Sequence, residues 1–222
     1  MSISQNLRQI RSTLQPSVKL VAVSKFHPAS ALQEAYDAGQ RVFGESRAQE
    51  LTAKQEALPL PDIEWHFIGP LQSNKVKQIA PFIHLIESVD SVKLLDEIQK
   101  QAVKNGRTIH VLLEIHIAEE ESKQGFSPEE CLAFLQSDYA AQYPNIRIAG
   151  LMGMATLTDN AAMIRREFHG LKELHDRIRR EFITDGSFTE LSMGMSHDYT
   201  IAMEEGSTMV RIGSAIFGER EY

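Results

Sequence analysis

The 222-residue chain has a single cysteine, Cys131, so no intrachain disulfide can form and a reducing compartment suits it. It has no apolar run long enough to cross a bilayer, so a membrane-embedded protein is not expected. Basic residues are in deficit: 23 Lys and Arg stand against 30 Asp and Glu, a net charge of −7. That balance argues against a nucleic-acid-binding surface, which is normally basic. There is no Pro/Gly/Ser-rich linker and no internal repeat, so one domain over residues 1–222 is expected. No group of Cys, His and Asp stands at metal-ligand spacing around His66 or His116, and no metal is expected. Acids are missing from residues 1–17, which carry Arg8 and Arg11 in faint likeness to an organelle presequence. Ile3, Leu7, Ile10 and Leu14, however, fall at helical spacing and predict a helix that plugs one end of the fold. A cytoplasmic monomer is expected, since no second apolar stripe marks a dimer helix.

What the chain does contain is a regular alternation. Short apolar runs typical of strands buried on both faces occur at 18–23, 41–45, 64–69, 84–89, 109–117, 146–152, 190–193 and 209–212. Helix signals separate them: Pro28 and Gly39 bracket one helix, Gly106 closes another, and Ser127-Pro128-Glu129-Glu130 opens a third with a capping box. Ser46 with Gln49 predicts a further capping box. Ile164, Phe168, Leu171, Leu174, Ile178 and Phe182 line one stripe of a long helix. Strand–helix alternation specifies a parallel sheet. Eight such units plus an N-terminal helix favour an α/β fold of the (β/α)8 TIM-barrel type over an open sheet.

Barrels place their chemistry at the C-terminal strand ends. Those ends read Lys25, Glu45-Ser46, Gly69, Ser88, His116, Met152–Met154, Met193–Ser196 and Arg211–Ser214. The last two runs close on small residues, Gly194-Met195-Ser196 and Gly213-Ser214. Strand ends of that kind offer backbone N–H groups to an anion, and in barrels the loops after the last two strands recurrently hold phosphate. Lys25 follows a strand run (VKLVAV, 18–23) that is apolar but for Lys19; burial would free its amine as a nucleophile toward a carbonyl, against the alternative of a lysine reaching solvent. Arg211, set among apolar residues, requires buried acceptors: a ligand, or a carboxylate such as Glu45 or Asp198. Ser196 can cap a helix starting at His197 and hold an anion at once, whereas Ser46 reads first as a cap. His66 and His116 read as core or mouth residues, the methionines at 152, 154, 193 and 195 as packing, and Cys131 as a buried helical thiol without a neighbouring cation.

Taken in order, VSKFHP (23–28), FGESRAQE (43–50), WHFIGPLQSNK (65–75), KQGF (123–126), GLMGMAT (150–156) and the block 191–218 resemble the pyridoxal-phosphate homeostasis protein family. The resemblance spans nearly the whole chain. It implies a barrel like the N-terminal domain of alanine racemase and pyridoxal 5′-phosphate (PLP) as cofactor, bound as a Schiff base on Lys25. By the same resemblance Ser196, Gly213 and Ser214 hold the phosphate and Arg211 faces the pyridine nitrogen, with Ser46 and Met195 also in the cofactor-binding set. It implies a role in vitamin B6 supply, and through it in amino-acid and keto-acid balance, rather than catalysis, with apo PLP-dependent enzymes as candidate recipients. Two positions depart from the family pattern: Ser46 and His116 stand where asparagine is usual.

An arginine at the ring nitrogen can only donate, since all its nitrogens carry protons at accessible pH. The ring is then a weaker electron sink than one kept protonated by a carboxylate. Racemisation also needs a second acid/base, which in alanine racemases comes from an additional domain for which this chain has no spare residues. The competing readings are a weak PLP-dependent amino-acid racemase or decarboxylase on the same site and a cofactor-free aldolase using Lys25 on a sugar phosphate.

Overall fold

Each predicted strand run forms a strand, and the eight strands close in sequence order with every neighbour parallel, β8 returning to β1. They are β1 (Lys19–Val23), β2 (Val42–Glu45), β3 (Glu64–Phe67), β4 (Leu85–Val89), β5 (Ile109–Ile115), β6 (Ile146–Gly153), β7 (Glu190–Ser192) and β8 (Met209–Ile212). The computed structural model describes residues 2–119 and 124–218. Lys123 of the KQGF motif and residues 120–122 of the acidic loop lie outside them.

The helices are α1 (Ile3–Thr13), α2 (Ala29–Asp37), α3 (Ala48–Ala57), α4 (Ser73–Ile79), α5 (Val92–Lys104), α6 (Pro128–Gln136), α7 (Tyr139–Gln142), α8 (Ala161–Glu181), α9 (Tyr199–Glu204) and α10 (Ser214–Phe217). The Ser127/Glu130 capping box forms as predicted. Gly39 and Gly106, at φ +87° and +62°, take the left-handed conformation that ends α2 and α5. Among the described residues no helix is long and apolar enough to cross a membrane.

The α1 helix does not plug the barrel. Its Leu7 and Ile10 are buried, but in the layer between helices and strands. Asn6 donates to Ile216 O on α10, and Arg11 to Ala38 O beyond α2. An amphipathic stripe specifies that one face is buried but not against what; here it completes the outer ring where α10 is only one turn long.

Two apolar layers follow from strand parity. Outward residues such as Phe43, Trp65, Phe67 and Val111 pack under the helices. Inward residues Val21, Leu85, Leu112, Ala149, Met152 and Met209 form a smaller cluster within the barrel. Met152 therefore packs, as its sequence context suggests.

Candidate functional site

The strand β1 delivers Lys25 two residues past its end. The backbone there is held from outside the barrel. Ser24 Oγ donates to Glu45 Oε1 (2.6 Å), and Lys54 Nζ of α3 donates to Ser24 O, Glu45 Oε1 and Glu50 Oε1 (2.7 Å each). Glu50 Oε1 also accepts from Phe26 N–H at 2.6 Å, and Phe26 has φ +70°, a conformation uncommon for a side chain of its bulk. Burial raises the Glu45 carboxyl above its ordinary value, against the charge and hydrogen bond of Lys54 and the hydroxyl of Ser24. This buried lysine–carboxylate cluster fixes the turn that carries Lys25.

Arg211 of β8 is 4% exposed and points into the barrel, in register with Val21. Its guanidinium donates to Ser192 Oγ (2.6 Å) and Gly153 O (3.0 Å). The carboxylate at ion-pair distance is Glu87 Oε2 (3.9 Å), rather than Glu45, which Lys54 and Ser24 occupy, or Asp198, which acts at longer range. Glu87 accepts from Ser192 Oγ (2.6 Å) and contacts His66 Nδ1 (2.7 Å). Burial alone would raise Glu87; the hydrogen bond and charge of His66, then Arg211 and Ser192, outweigh it and hold the carboxyl below its usual range. Burial lowers Arg211 from its ordinary value, opposed by Glu87, Glu114 and Asp198. Four strands thus contribute to one polar chain across the interior: His66, Glu87, Ser192 and Arg211.

The strand ends after β7 and β8 come together. Ser214 Oγ donates to Ser196 Oγ at 3.3 Å, and Arg211 N–H donates to Gly194 O at 3.0 Å. Gly194 has φ +98°, and a Cβ there would lie 2.6 Å from that of Ala202, so both conformation and space demand glycine. At Gly213 a Cβ would come within 3.0 Å of Val23 O, which places the end of β8 tight against the end of β1. Ser196 does not cap a helix: α9 begins at Tyr199, and Asp198 Oδ1 instead accepts from Met195 N–H at 2.6 Å. Nor does Ser46 cap α3, whose N-cap is Arg47. Ser46 lies where Gly69 approaches so closely that a Cβ on that glycine would be 2.6 Å from the serine's own. His116 falls one residue beyond β5, its Nε2 2.9 Å from Ala118 O, and Ser88 Oγ donates to Gly69 O.

Lys25, Arg211, Ser196 and Ser214 are therefore legible as strand-end residues. The residues that hold them, Lys54, Glu87 and Ser192, are not. Each acts across strands or from a helix, and no local spacing announces that pairing.

The parallel closed barrel, with a basic residue on the last strand and small residues after the last two, defines a barrel of the alanine racemase N-terminal type. The profile described as alanine racemase, N-terminal domain, matches residues 1–221. Alanine racemase of Clostridium difficile superposes with a TM-score of 0.77 at 14% identity, covering 100% of this chain and 56% of that one, a likeness of fold. The chain belongs to the pyridoxal phosphate homeostasis protein family. It is 44% identical to the protein of that name from Aquifex aeolicus, over 92% of this chain and 88% of that one. It is 40% identical to the human one, over 94% and 78%. Among solved structures, PipY of Synechococcus elongatus without PLP matches with a TM-score of 0.91 at 40% identity over 97% of this chain and 100% of that one. The PLP-bound form of PipY matches at 0.88, with 39% identity and the same coverage.

Proposed function

We propose that this protein holds pyridoxal 5′-phosphate at the C-terminal mouth of the barrel, reversibly and as part of cellular PLP homeostasis. The observation that carries the reading is the meeting of Ser196 and Ser214, 3.3 Å apart, where Gly213 abuts Val23 at the end of the strand that leads to Lys25. The donor set fits the cofactor's three polar ends: an amine for the aldehyde, hydroxyls and helix-start amides for the phosphate, and a guanidinium for the ring nitrogen. When bound, PLP supplies an electron-accepting ring conjugated to the linked amine.

In this reading Lys25 carries the Schiff base, its backbone fixed by Ser24 and by Phe26 against Glu50. Ser196, Gly213 and Ser214 take the phosphate. Arg211, oriented by Ser192 and Gly153 O, donates toward the ring nitrogen and keeps no proton acceptor there. Ser46 and Met195 border the ring. Turnover by racemisation would require a second acid/base opposite Lys25. No residue is assigned that role here, and we assign the site to storage and delivery to apo-enzymes rather than to turnover.

The test is spectral. Native protein mixed with PLP should develop the visible band of a protonated imine, while Lys25→Ala should not. Pyridoxal lacking the phosphate should bind at least tenfold more weakly. An undiminished imine band in Lys25→Ala, or equal binding of pyridoxal, would refute the assignment.

A further inference from the structure

The opposite, N-terminal end of the barrel holds a second group of chemistry-bearing side chains. Strand parity puts Glu64 and His66 of β3 on the same inward face. His66 pairs in register with Leu85, the residue after His84, so the β3–β4 pairing brings the second histidine alongside. One donor atom from each of Glu64, His66 and His84 lies within 4.8 Å of the other two. His84 Nε2 is 3.5 Å from Glu64 Oε2, and the two imidazoles are parallel with centroids 5.7 Å apart.

His66 is fully buried and half satisfied. Its Nδ1 is 2.7 Å from Glu87, while its Nε2 is buried without a hydrogen-bond partner. Leaving a buried ring nitrogen unpaired is costly, and such atoms are rare in native packing. A histidine with one nitrogen held by a carboxylate and a bare second nitrogen has the arrangement of a metal ligand, in which the carboxylate fixes tautomer and orientation.

We propose that Glu64, His66 and His84 bind a divalent first-row transition metal of the zinc class at the end of the barrel remote from Lys25. Two imidazoles and one carboxylate form a three-ligand set that leaves a fourth position open. His66 is the fixed ligand: on taking up the ion its ring gives up the Nε2 proton, Nδ1–H donates to Glu87, and Nε2 presents its lone pair. In a tetrahedral site with bonds of about 2.0–2.1 Å the ligand atoms stand roughly 3.4 Å apart. Rotation of the Glu64 and His84 side chains, 39% and 49% exposed, closes the wider spread while His66 stays in place. His84 also lines an open cavity of about 730 Å³ with Lys19, His110 and Arg147, which gives the ion a route in. Lys19, the cation that most opposes a metal at His84, is drawn to Glu190 at 3.4 Å. A bound ion would clamp β3 to β4 and hold the His66 proton toward Glu87, the carboxylate that Ser192 and Arg211 share.

The chelator-treated full chain, titrated calorimetrically with Zn²⁺, should bind one equivalent, and Co²⁺ should give the visible ligand-field absorption of a four- or five-coordinate site. His84→Ala and Glu64→Gln, both at half-exposed positions, should each weaken Zn²⁺ binding at least tenfold with unchanged far-ultraviolet dichroism. Less than one equivalent bound, or variants that bind Zn²⁺ as the native chain does, would overturn the proposal. Because the readout is metal bound rather than cofactor bound, its failure would leave the PLP assignment untouched.

Discussion

Among single residues, Glu114 is the one whose charge state the fold changes most usefully for a test. It is buried within the barrel, and burial pushes its carboxyl up to about 7, with Asp90 adding to the rise and Arg211 opposing it. Between roughly pH 4.5 and 7 the native state therefore holds a proton that the unfolded chain has released. Stability contributed by this group must fall as pH rises through that window, by on the order of 3 kcal/mol over the full span. Glu114→Gln should flatten the dependence, read from urea unfolding at pH 5 and pH 7.5; a native-like slope in the variant would place the titration elsewhere. Cys131 is the opposite case. Burial pushes its thiol up to about 12, so it stays protonated and inert near neutrality, as its apolar neighbours suggest.

At the scale of elements, the turn bearing Lys25 depends on α3, through Lys54 and Glu50. Lys54 is 6% exposed and serves Glu45, Glu50 and Ser24 O together. Lys54→Met keeps the stem volume but strands the fully buried Glu45 without its cation, which should cost about 3–5 kcal/mol. Denaturant unfolding should report that loss, and PLP affinity should fall with it because Phe26 loses its shared anchor. A variant with native stability would show the cluster to be dispensable. The same elements show what local sequence can specify. Buried parallel strands appear as short, mainly apolar runs, so all eight were found, and the Ser127/Glu130 cap was found because its reciprocal bonds close within four residues. The Ser46/Gln49 pattern is equally local yet forms no cap, because the close approach of Gly69 governs Ser46 and α3 starts after Arg47. The polar chain from His66 to Arg211 draws on β3, β4, β7 and β8, up to 145 positions apart in the sequence. Only closure of the barrel assembles it, and nothing in the spacing of its members foretold it. The Glu64–His66–His84 group escaped notice for the same reason: strand pairing, not motif spacing, brings it together.

For the whole molecule, a closed parallel barrel sets two chemically different ends apart and joins them through its interior. One end gathers Lys25 and the small residues after β7 and β8; the other gathers two histidines and a glutamate; Glu87, Ser192 and Arg211 lie between. The account rests on the amine of Lys25 being the group that holds the cofactor. Borohydride reduction of the PLP-loaded native protein, followed by proteolysis and mass analysis of the peptides, tests this most directly. The pyridoxyl-phosphate mass should appear on the peptide containing Lys25 in about one-to-one yield, and its appearance on another lysine such as Lys75, or on none, would contradict the account.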